Sequence, residues 1–154
     1  MSDTPLHRGA VHEAGHAVMA RLLGGGIRSI KVDLTDPHGD AHTDLIRTEE
    51  TLAPKNRMLI SAASRACLLT FGCDVLHDGE LWKDEGVIDT IAYELFPDNE
   101  AQQERCKETW TREVERWFDR PNIQVAVIEL VEALMREGQI NGTEAEAIID
   151  RHIA

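Results

Sequence analysis

The stretch GAVHEAGHAVMARLLGGG, residues 9–26, constrains this chain more than any other. Thr4-Pro5 just ahead of it reads as a helix start, with a hydroxyl to cap free N–H groups and a proline in the first turn. Apolar residues then recur at helical spacing to Leu23, and Gly24-Gly25-Gly26 ends the helix. The triple glycine is not a phosphate loop, because no Gly-Lys-Ser/Thr follows at the required spacing. Within this helix lie His12, Glu13 and His16, and beside them Gly15. A helical glycine costs about 1 kcal/mol relative to alanine, so Gly15 predicts a neighbour packed close against the motif.

Residues four apart on a helix share a face and sit about 6 Å apart, so both imidazoles can reach one ion. Zn²⁺ takes neutral imidazole nitrogens at about 2.0–2.1 Å, and a catalytic site keeps one position open for water. The ion acidifies that water, and a glutamate next to the first histidine can take its proton. His12 and His16 are therefore candidate metal ligands and Glu13 a candidate general base. The competing expectation is a pair of helix histidines that are only exposed or hydrogen-bonded.

Such a site needs a third protein ligand, which spacing alone does not identify. The candidates are His77, Glu80, Asp84, Glu85 and Asp89, with Cys73 a less usual donor for this kind of site. His38 and His42 flank a turn and are expected at the surface.

The rest of the chain reads as mainly α with a small β element. IRSIKVDL, residues 27–34, alternates as a strand with Ile27 out of phase, TDPHGD turns, and AHTDLI returns, which makes one β-hairpin. Helical spacing runs from Pro54 to Phe71 and closes at Gly72. Residues 73–83 form a loop, followed by helices over 84–95, 100–118 and 123–135. Thr143 with Glu146 is spaced as a capping box for a last helix ending at Ile153. With 154 residues and no repeat, the chain is expected to be a single domain, 1–154.

Charge narrows the partners. The formal net charge is -12, and residues 78–154 carry 19 acidic against 8 basic side chains. That half repels polyanions, so the expectation is no nucleic acid. No apolar run reaches the roughly 18 residues a membrane span needs. Three cysteines without a framework spacing, and no signal peptide ahead of them, suit a reducing cytoplasmic setting.

VHEAGHAVMARLL is similar to the zinc-binding helix of the M41 peptidases, the proteolytic domain of the FtsH-type AAA proteases. IRSIKVDL falls where that family's first strand follows the metal helix. VIELVEALMREGQINGTEAEAIID closely resembles its final two helices. The resemblance covers most of the chain, at low identity between its two ends. It implies a zincin-like helical metallopeptidase domain that takes its third ligand from an aspartate at the start of a helix. WKDEGVIDTIA aligns Asp84 with that ligand, Lys83 and Glu85 replacing the family's asparagine and leucine, and Asp89 is the main rival. The family's Gly-Gly-Arg-Ala-Ala-Glu run is replaced by ASRACLL, which keeps Arg65 and Ala66 and loses the glutamate.

The implied function is a zinc-dependent metalloendopeptidase that cleaves flexible or unfolded polypeptide, with an extended substrate adding alongside an edge strand of the hairpin. Eleven residues precede His12, so the expectation is a domain without the family's ATPase on this chain. A separate ATPase or adaptor would have to supply folded substrates, and the resemblance adds a homo-oligomer. The alternative is a catalytically inactive metal-binding or protein-interaction module on the same scaffold.

Overall fold

The computed structural model describes residues 3–76 and 78–153. The first helix, α1, spans Pro5–Leu22. Thr4 caps it by accepting from His7 N at 3.2 Å, and Gly24, at a φ of 82°, reverses the chain after it. Sequence periodicity suggests one apolar stripe, but α1 is buried on nearly every face from Ala10 to Ala20. Alanine and glycine on the remaining faces let neighbours approach all round, so α1 is the central helix of the fold.

Strand β1, Gly26–Val32, follows and pairs antiparallel with β2, Ala41–Ile46. A bulge between Ile27 and Ser29 explains the phase problem in the sequence. The extra residue, Arg28, turns outward, so Ile27, Ile30 and Val32 all bury on one face. β1 stops at Val32, and Leu34 lies outside the strand. A four-residue helix, α2 (Glu49–Leu52), leads into α3, Pro54–Thr70.

Helix α4 spans Leu81–Leu95, three residues earlier than its sequence pattern suggests, because Leu81 is already buried. Asp84 therefore closes the first turn and does not cap the helix. Helices α5 (Glu100–Phe118) and α6 (Pro121–Glu137) follow, and Gly138, at a φ of 78°, ends α6.

The sheet has a third strand that the sequence pattern does not show: β3, Gln139–Asn141, pairs antiparallel with Ser29–Lys31. The strand order is β2-β1-β3, so β1 is paired on both sides and β2 lies at an edge. The last helix, α7, runs Gly142–Ile153. Its cap is Asn141, whose Oδ1 accepts from Glu144 N at 2.8 Å. The expected Thr143–Glu146 box does not form, since Thr143 is already helical. Glu146 instead meets Arg21 at 3.1 Å.

One hydrophobic core draws on α1, β1, α3, α5, α6, β3 and α7. A smaller cluster, Met58, Ile91, Ala92 and Cys106, joins α3, α4 and α5. α1 packs on α3, α6, β1 and β2, which brings the motif face between the sheet and α3.

Candidate metal centre

Four elements meet at the motif. α1 supplies His12, Glu13 and His16, α3 and α4 face the two histidines, and β2 faces the glutamate. His12 and Glu13 are buried. Gly15 is what allows the approach of α3: a Cβ there would stand 2.9 Å from both Ala63 O and Cys67 Cβ. The neighbour predicted from the helical glycine is therefore α3.

The hydrogen bonds fix which nitrogens are bare. His16 Nδ1 lies 2.7 Å from Ile60 O, a carbonyl that can only accept, so Nδ1 carries a proton. His12 Nδ1 lies 3.0 Å from Asp78 Oδ2 and donates to that carboxylate in the same way. In each neutral ring this leaves Nε2 with a free lone pair. The two Nε2 atoms are 3.1 Å apart, and Asp84 Oδ2 is 3.0 Å from one and 3.2 Å from the other.

Three electron-pair donors thus face one point. Ligand atoms around a tetrahedral zinc at about 2.0–2.1 Å stand roughly 3.3 Å apart, close to the spacing found here. The donor set suits zinc, and the geometry suits three protein ligands with a fourth position open. In the metal-free protein the cluster holds protons instead. Burial opposes charge on His12, but the hydrogen bonds it donates to Asp78 and Asp84 outweigh burial and raise its pKa to about 10. The pKa of His16 also rises, against burial, through Asp84. Burial resists ionisation of Asp84, yet the two imidazoles hold its carboxyl well below the usual range.

Among the described residues, His12, His16 and Asp84 are the group that converges in this way. Asp89 points elsewhere and pairs with Lys107 at 3.0 Å. Glu80 pairs with Lys83 at 2.9 Å. Glu85 and Cys73 do not join the cluster, and His77 lies outside the described residues. His38 and His42 are exposed, although His38 borders the cleft described next.

Three supporting side chains have no signature in the sequence. Asp78 holds His12, Ser64 Oγ donates to Asp84 Oδ2 at 2.7 Å, and Thr43 Oγ1 donates to Glu13 Oε2 at 2.6 Å. Ser64 lies in the ASRACLL segment, and its only visible mark is a polar residue in an apolar run. Asp78-Gly79 ahead of a helix reads as an ordinary turn.

A cleft of about 330 Å³ opens onto His12 and Glu13, walled by Arg8, Asp40, Ala41 and the 78–80 loop. A second cavity of about 430 Å³, between α3, α4 and α5, reaches Asp84 from the other side. No protein-family model matches this chain, and no curated protein matches it.

Proposed function

We propose that this chain is a zinc-dependent metalloendopeptidase of the M41 type, acting on flexible or unfolded polypeptide. His12, His16 and Asp84 would hold the metal. The observation that carries the proposal is the convergence of their three ligand atoms, 3.0–3.2 Å apart, beside a buried glutamate at the head of a cleft. When bound, zinc supplies a Lewis acid for the scissile carbonyl and an acidified water.

Glu13 supplies the proton relay. Thr43 ties down Oε2, which leaves Oε1 to take a proton from the attacking water and return it to the leaving amine. β2 presents an outer edge next to the cleft, and Ala41 at its start lines that cleft. An extended segment can pair there as an added strand. The cleft is too small for a folded domain, so substrates must arrive unfolded or be delivered by a separate ATPase or adaptor. Among the described residues no helix is long and apolar enough to cross a membrane. The free thiols of Cys67, Cys73 and Cys106 fit the cytoplasmic setting proposed from the sequence.

The test is a pair of measurements on purified protein. Metal analysis should find about one Zn²⁺ per chain. Glu13→Gln should keep that zinc while cleavage of an unfolded protein such as casein disappears. A zinc-loaded parent that cuts none of a broad panel of unfolded substrates would instead be the inactive metal-binding module.

A further inference from the structure

Asp78 occupies the loop between α3 and α4, and its side chain is only 5% exposed. Its two oxygens serve different elements. Oδ2 accepts from His12 Nδ1 on α1 at 3.0 Å, and Oδ1 accepts from Glu80 N, at the start of α4, at 2.9 Å. The residue at the α4 cap position, Glu80, makes no capping bond with its own side chain. One buried carboxylate therefore links the helix bearing His12 to the helix bearing Asp84.

We propose that Asp78 is the positioning residue of the metal centre. Through Oδ2 it fixes the His12 tautomer that presents a bare Nε2, and through Oδ1 it anchors the turn that carries Asp84. The inference rests on the metal reading above and deepens it. A ligand histidine needs a partner for its other nitrogen, because that partner decides where the proton resides and how the ring points. His16 has a backbone carbonyl for this purpose, whereas His12 depends on a side chain that mutation can change.

Aspartate suits the position because both bonds need acceptors. In Asp78→Asn a single oxygen must serve two N–H donors. If it stays on Glu80 N–H, the amide NH₂ faces His12 and donates to Nδ1, which moves the ring proton to Nε2 and blocks a ligand. Asparagine in place of a histidine-orienting aspartate is known to invert the tautomer in this way. If the oxygen turns to His12, the first turn of α4 loses its anchor and Asp84 loosens.

The experiment measures Zn²⁺ affinity by competition with a chromophoric chelator at fixed pH. Asp78→Asn should bind about 10–100-fold more weakly than the parent. Glu85→Gln, which removes a charge from the same helix without touching the cluster, should match the parent. A second measurement needs no variant: long-range ¹H–¹⁵N spectra of the zinc-loaded parent should find the His12 proton on Nδ1 and the metal on Nε2. Parent-like affinity of Asp78→Asn, or a proton on Nε2, overturns the assignment while leaving zinc binding intact. A parent that takes up no zinc removes the metal reading and this inference with it.

Discussion

At the scale of single residues, Gly15 shows how closely the motif is packed. Alanine there would gain about 1 kcal/mol of helix propensity. Its Cβ, however, would meet Ala63 O and Cys67 Cβ at 2.9 Å, and neither a backbone oxygen nor a Cβ can swing aside. Overpacking of this kind costs about 1–3 kcal/mol, so Gly15→Ala should destabilise the protein on balance. Urea denaturation decides the sign, and a more stable variant would mean that α3 shifts freely. Asp84 offers a second residue-level test. Asp84→Ala should weaken zinc retention, whereas Asp89→Ala should not, because Asp89 pairs with Lys107. The reverse result would move the third ligand. The His12/Glu13/His16 set was legible because helix geometry joins residues four apart. Asp84 was one of several third-ligand candidates and was singled out only through family resemblance; Asp78 was not reached at all, because its bond to His12 spans 66 residues of chain and leaves no local pattern.

At the scale of elements, the differences between sequence pattern and structure arise where a tertiary contact decides. The long helices were readable from apolar spacing and punctuation by proline and glycine. β3 was not, since three residues with one buried isoleucine carry no period. The start of α7 shows the same competition. Thr143 and Glu146 are spaced as a capping box, yet Gly142, where a Cβ would run into Ile27 O, is already in the helix, and the cap falls two residues earlier. Asn141 then takes the cap, and Glu146 joins Asp150 in holding Arg21 of α1. Asn141→Ala should accordingly cost about 1 kcal/mol of stability. Thr143→Ala should cost only a few tenths, as for an ordinary surface substitution. A thermal melt of both variants checks the pair, and the opposite ranking would restore the capping box.

At the scale of the whole molecule, folding, proton binding and the proposed metal binding meet in one cluster. In the metal-free protein the raised pKa of His12, about 10 against an ordinary 6.5, favours the folded state fully below pH 6.5. That contribution fades as pH rises towards 10 and is lost above it. Asp84 and Asp78, whose pKa values are lowered from 3.8, contribute above that pH and lose their contribution as it falls. Metal-free protein should therefore be most stable in mildly acidic solution, between those limits. Zinc, bound as proposed, should reverse the preference, since it needs the same nitrogens bare. Binding at neutral pH must expel the proton that Asp78 and Asp84 hold on His12, and uptake should tighten as pH rises. Titration calorimetry at pH 7 in buffers of different ionisation enthalpy should give a release of about one to two protons per zinc. Equal heats in every buffer would mean that no proton leaves, and that the ion binds away from the His12–His16–Asp84 cluster.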